Sequence, residues 1–143
     1  MSGALSELYR DVILDHSRRP RNYRRVDGGA TVVEDNNPLC GDTLTVYVIL
    51  KDDVLYDAAF QGVGCALSTA SASMMTEAVR GRSPGDVAEL AAAFGALVTA
   101  GCAPAGAVPK ALGAFAGVGA FPSRVNCALL PWRALSRALQ LPE

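Results

Sequence analysis

Cysteine gives this chain its widest chemical latitude, because a thiolate binds soft metals, accepts sulfur and attacks other sulfurs. Four cysteines occur: Cys40, Cys65, Cys102 and Cys127. Cys40 lies in Asn36-Asn37-Pro38-Leu39-Cys40-Gly41-Asp42, whose Asn, Pro and Gly content reads as a turn. Cys65 follows Gly62-Val63-Gly64, and Cys127 follows Asn126. Helices are expected to begin at Cys65 and near Cys127, where the positive end of the helix dipole would favour thiolate. The long separations lack the paired C-x-x-C of a zinc ribbon, so only the fold could gather these thiols. On residues alone they are either three separate core thiols or one cluster. Asp42 is either an ordinary turn residue or the carboxylate that completes a four-coordinate site. Glycines beside Cys40 and Cys65 would leave a ligand room to approach.

The elements that must position these groups follow from periodicity. Leu5, Leu8, Tyr9, Val12, Ile13 and His16 recur at helical spacing, and Pro20 stops that helix. His16, the sole histidine, falls on the apolar face and reads as a packed residue. Alternation predicts strands over 31–35, 43–50 and 54–61, joined by short turns that include Lys51-Asp52-Asp53. Beyond them the sequence predicts a helix over 66–80 closed by Gly81. A second runs over 84–99, with Ser83 as N-cap and Pro84 at its first position. A third is expected over 108–116. The last runs from near Cys127 to Leu139, with Asn126 as its cap and Pro131 in its first turn. Strands first and helices afterwards make an α+β domain: a three-stranded antiparallel sheet with helices packed on one face. The expected organisation is a single domain over 1–143.

Composition narrows the function. Lys+Arg 13 against Asp+Glu 14 gives a net charge of -1, which argues against nucleic acid as a partner. Arg18, Arg19, Arg21, Arg24 and Arg25 form a local basic cluster, read either as a solvated segment or as a contact for an acidic partner. Residues 90–109 carry no charge and are long enough to span a bilayer, but they are Ala/Gly-rich and contain Pro104. A buried helical pair is the better reading, so no membrane is expected. With no N-terminal signal pattern, the expected compartment is the cytoplasm, where thiols stay reduced. Cys102, in Gly101-Cys102-Ala103-Pro104, reads as incidental.

Four runs carry a resemblance: Leu8-Tyr9-Arg10-Asp11-Val12-Ile13-Leu14-Asp15-His16, Asn37-Pro38-Leu39-Cys40-Gly41-Asp42, Phe60-Gln61-Gly62-Val63-Gly64-Cys65-Ala66-Leu67-Ser68-Thr69-Ala70-Ser71-Ala72-Ser73-Met74-Met75-Thr76-Glu77 and Phe121-Pro122-Ser123-Arg124-Val125-Asn126-Cys127-Ala128-Leu129-Leu130. Together they resemble the IscU/SufU/NifU N-terminal-domain family across nearly the whole chain. The resemblance implies that Cys40, Asp42, Cys65 and Cys127 hold a metal, either zinc or the iron of a [2Fe-2S] cluster. It implies sulfur received from a cysteine desulfurase of the SufS/IscS kind, and downstream proteins that take sulfur or cluster. The main expectation is a scaffold for [2Fe-2S] assembly and transfer. The alternative is a zinc-dependent sulfurtransferase acting with the desulfurase.

Branch features favour the SufU side. Asn126 stands where IscU proteins carry a histidine, and no Leu-Pro-Pro-Val-Lys motif precedes it. Arg124, three residues before Cys127, matches a SufU arginine, and about 82–109 resembles the SufU helical insertion. The resemblance gives Cys40, Cys127 and Arg124 roles in sulfur transfer: Cys40 or Cys127 as acceptor, and Arg124 as a guide for the persulfide or a partner for Asp42.

Overall fold

The computed structural model describes residues 3–37, 41–103 and 106–141, the side chains of residues 3–9 excepted. Cys40, a predicted ligand, lies outside the described residues, as do the side chains of Leu5, Leu8 and Tyr9 on the expected apolar face of the first helix.

Helix α1 (Gly3–Arg18) precedes strands β1 (Thr31–Asn37), β2 (Asp42–Lys51) and β3 (Val54–Val63). Helices α2 (Ala66–Val79) and α3 (Pro84–Ala100) follow. Two short 3-10 turns, Lys110–Phe115 and Val118–Ala120, lead into α4 (Pro122–Ala138). The sheet is antiparallel in the order β1-β2-β3, so the α+β expectation holds. Asp52 and Asp53 both take positive φ, as a two-residue hairpin of type I′ requires.

Period two decides which side chains meet the helices. On β2 that row is Asp42, Leu44, Val46 and Val48, all buried. Across it stand Asn37, Asp35 and Val33 of β1, and Gly62, Phe60 and Ala58 of β3. Asp42 therefore heads an inward-facing row and is not a turn residue. It is only 2% exposed. Gly62 serves the sheet: at its φ of +153° a Cβ would collide with the Thr43 carbonyl oxygen.

Helix α2 is buried on nearly every side, between α1, α4 and β3. Its small residues permit that approach, and its hydroxyls latch the neighbours. Ser71 Oγ donates to the Ala128 carbonyl at 2.6 Å and accepts from Trp132 Nε1 at 3.2 Å. Ser73 Oγ accepts from the Arg21 backbone N–H at 2.8 Å and meets His16 Nδ1 at 2.7 Å. Residues 22–24 then run beside β3 in a parallel bridge, Tyr23 opposite Phe60. Arg24 pairs with Asp57 at 2.6 Å. The basic cluster is thus largely neutralised in place, with Arg19 and Arg21 on Asp15 and Arg25 on Asp27.

Ser83 caps α3, accepting the Asp86 N–H at 3.1 Å, and Gly101 closes it at a φ of 82°. Phe94 stacks on Trp132 at 4.8 Å and meets Phe115 edge-on at 5.5 Å, which fixes α3 to α4. Among the described residues no helix is long and apolar enough to cross a membrane.

Two expectations need correction. The helix expected over 108–116 is the 3-10 turn Lys110–Phe115, because Pro109 and Gly117 leave too short a run for α-helix. The last helix starts at Pro122, more than a turn earlier than expected. Proline costs nothing at a first helical position, and Ala128, Leu135 and their neighbours keep helical spacing toward the core. Cys127 therefore lies inside α4, not at its N-terminus, and Asn126 is not its cap. Pro131 lies in the helix interior, where it removes the N–H that would bond the Cys127 carbonyl.

Two predictions follow from this packing. Phe94→Ala should lower unfolding stability by about 3–5 kcal/mol, read from urea denaturation. Burial, and secondarily Arg21, holds the His16 pKa below the usual imidazole value of 6.5, against the opposite pull of Glu77 and Asp15. The fold then binds fewer protons than the unfolded chain, so this stability is present above pH 6.5 and lost as pH falls below it. With chelator present, the melting temperature should drop below pH 6.5 more steeply in the native protein than in His16→Gln. Parallel profiles would remove His16 as the cause.

Candidate metal centre

Three elements end at one corner of the domain. Strand β2 begins there with Asp42, β3 runs out through Gly64 to Cys65, and α4 brings Cys127 in its second turn. Asp42 Oδ1 accepts the Cys65 backbone N–H at 2.8 Å, and its Oδ2 lies 3.9 Å from Cys65 Sγ. Cys65 is the N-cap residue of α2, in extended conformation, so its sulfur sits at the positive end of that helix. The expectation for Cys65 at a helix N-terminus holds, whereas for Cys127 it does not.

Cys127 is fully buried. Its sulfur lies 3.7 Å from the Ser123 carbonyl oxygen and 3.8 Å from Asn37 Nδ2. Cys65 is partly exposed and lies 3.8 Å from Ser68 Oγ. One ligand atom from each of Asp42, Cys65 and Cys127 lies within 4.8 Å of the other two. Among the described residues no Lys or Arg forms an ion pair with Asp42, so this buried carboxylate has a hydrogen bond and a helix end but no counter-ion there. A Cβ on Gly64 would run into Ser68 Oγ and stand 3.1 Å from Asp42 Oδ1. Gly64 therefore keeps open the space around the carboxylate.

These residues fit a metal ion. Two thiols and a carboxylate suit zinc or iron. Tetrahedral zinc, with its Zn–S distance of about 2.3 Å, would need donor atoms roughly 3.8 Å apart. The observed spread reaches that value with movements of about 1 Å or less.

Not every predicted residue joins the cluster. Arg124 is exposed on the first turn of α4, and it makes no ion pair with Asp42 among the described residues. Asn126 Oδ1 accepts from Arg133 Nη2 at 3.2 Å. Cys102 is exposed beyond the end of α3, away from the cluster, and His16 is bonded to Ser73 in the α1–α2 interface. Sequence reasoning missed Asn37 and Ser68, which touch the two sulfurs. Their signal was weak, since Asn before Pro and Ser in a first helical turn are commonplace.

The model of the NifU-like N terminal domain matches residues 8–140. The chain is 42% identical over 139 residues to the iron-sulfur cluster assembly scaffold protein IscU of Streptococcus pyogenes serotype M1, covering 95% of this chain and 85% of that one. It is 37% identical over 139 residues to the zinc-dependent sulfurtransferase SufU of Bacillus subtilis strain 168, covering 97% and 94%. The solved structure of the SUF-system protein FiSufU from Fervidobacterium islandicum AW-1 superposes with a TM-score of 0.85 at 28% identity, covering 96% of this chain and 99% of that one. By sequence across nearly its whole length, and by fold, the chain belongs to the NifU-like N-terminal domain family.

Proposed function

We propose that this protein accepts sulfur from a cysteine desulfurase and serves as a scaffold on which a [2Fe-2S] cluster is assembled and from which it is passed on. The observation that carries the reading is the convergence of Asp42, Cys65 and Cys127 from three separate elements within 4.8 Å. In this reading Cys40, which lies between β1 and β2 in the sequence, supplies the fourth donor. Cluster iron and sulfide are cargo, held by three thiolates and a carboxylate. Downstream acceptor proteins take the product. Thiols serving in this way would work in a cytoplasm, where they stay reduced.

A second reading is favoured by the unequal burial of the thiols. Cys127 is enclosed while Cys65 is partly exposed, and an asparagine turned toward Arg133 replaces the histidine ligand. This suits a zinc-dependent sulfur acceptor in which one thiolate leaves the centre to take persulfide sulfur while the buried donors stay. When bound, zinc keeps the thiolates deprotonated and blunts their nucleophilicity. Cys40, on the short β1–β2 connection, is the thiol assigned to receive sulfur. Arg124, exposed one turn before Cys127, would attract the anionic persulfide toward it. The segment of about 82–109, which includes α3, is read as the SufU-type insertion of one domain.

Sulfide release from cysteine by the cognate desulfurase separates the two readings. The scaffold reading expects stimulation that is insensitive to zinc, with a [2Fe-2S] absorbance growing once iron is supplied. Stimulation by the zinc-loaded form alone, lost in Cys40→Ala, would replace it with the sulfurtransferase. No stimulation and no cluster would remove both. Gly64→Ala tests the centre itself. It should weaken zinc binding about tenfold or more, measured against a competing chelator. The melting temperature of the metal-free protein should fall far less, because Gly64 does not need a positive φ and the atom a Cβ would meet first is a side-chain hydroxyl that can turn aside. Unaltered zinc affinity would mean that the space beside Asp42 is not part of the site.

A further inference from the structure

Resting on the reading of this corner as a metal centre, we infer that Asn37 is a positioning residue that holds Cys127 through an N–H···S hydrogen bond. Asn37 is the last residue of β1 and pairs directly with Asp42 across the hairpin. It shares the inward-facing row, so its side chain points toward the helices, and it is 6% exposed. Its Nδ2 lies 3.8 Å from Cys127 Sγ, within reach for the large sulfur acceptor.

Two contacts of that sulfur respond differently to ligation. As a thiol, Cys127 donates to the Ser123 carbonyl one turn back, at 3.7 Å. A sulfur bound to metal has no proton to donate, so that contact offers it nothing. The Asn37 N–H gains instead, because a donor to an anionic acceptor makes a stronger, charge-assisted bond. Cys127 also lacks the support of a helix N-terminus, since it lies in the second turn of α4. The side-chain amide supplies a local positive dipole in its place. Held this way, Cys127 is the resident donor of the centre, its electron density drawn toward the amide. Chemistry that needs a free sulfur falls to the other thiols. Outer partners of metal ligands commonly matter by 10–100-fold in affinity.

The probes are cobalt(II) and cadmium-113. Wild-type protein loaded with cobalt(II) should show a thiolate-to-metal charge-transfer band. In Asn37→Leu, which keeps the shape but removes the donor, that band should move to lower energy and cobalt affinity should fall about tenfold or more. The band and affinity unchanged within about twofold would overturn the role of Asn37 while leaving the metal centre standing. No charge-transfer band in the wild type would overturn the metal centre, and this inference with it. Should Asn37→Leu fail to fold, the wild type decides alone. Loaded with cadmium-113, it should show scalar coupling from the metal to the Asn37 side-chain amide protons across the hydrogen bond. A cadmium-thiolate resonance without that coupling would overturn the assignment.

Discussion

The hydrogen bond from the Cys65 N–H to Asp42 Oδ1, at 2.8 Å, ties the end of the sheet to the start of the central helix. Strand period forces Asp42 inward, because it shares parity with Leu44, Val46 and Val48. A carboxylate at that depth loses its hydration, which is costly unless something replaces it. The N-terminus of α2 and the Cys65 amide replace part of it. A cation held with Cys65 and Cys127 would replace the rest. Glycine is demanded at 64 by this approach and at 62 by the crossing of β3 over Thr43. The glycines near Cys65 therefore have two separate causes, one in the site and one in the sheet.

Rigidity behind the corner comes from α2. A helix of Ala, Ser and Met buried on nearly all sides could not hold position by large apolar side chains alone. Three of its buried hydroxyls instead reach neighbouring elements: Ser71 with α4, Ser73 with His16 and Arg21, and Thr76 with Asn22 at 3.0 Å. The Arg24–Asp57 pair then pins residues 22–24 along β3. The half-exposed ion pairs add little individually. The buried hydroxyls matter more, since losing a partner would strand a polar group in the core. The first helix and the strap after it therefore brace the helix that carries Cys65.

Much of this was legible in the sequence, and the failures have physical causes. Alternation located all three strands, yet it ended β1 at 35 and began β2 at 43. The polar residues Asn37 and Asp42 end the strands at the site, and Asn36 pairs with Thr43 on the opposite face. The same substitution of polar for apolar residues hid Asp42's burial, which no local pattern announces. Ser83-Pro84 and Gly101 marked α3 well, since capping chemistry is local. Gly117–Pro122 read as a turn, and Pro131 as a first-turn proline. Both judgements moved the start of α4 to Cys127. The true helix keeps Pro131 inside because tertiary packing of Trp132 and Leu135 outweighs one lost hydrogen bond. The family resemblance pointed to Asp42, Cys65 and Cys127 as one set. Spacing alone did not, because only the folded sheet brings β2, β3 and α4 to a common corner.

The correction to α4 changes how the thiols compare. Two cysteines at helix N-termini would be near equivalents, each activated by a dipole. Instead Cys65 occupies an N-cap at the surface, and Cys127 sits in a helix interior beneath a strand asparagine. Exposure and helix dipole both favour approach to Cys65, while enclosure disfavours it at Cys127. The interior proline adds to the difference. Without an N–H at Pro131, the turn that begins at Cys127 is not closed by the usual bond, and the adjoining carbonyl of Ala128 is taken by Ser71. The position of Cys127 thus depends on contacts made from outside its own helix, by β1 on one side and α2 on the other. A centre built this way has a donor fixed by the core and a donor open to the surface, an asymmetry suited to holding cargo while one sulfur remains reachable.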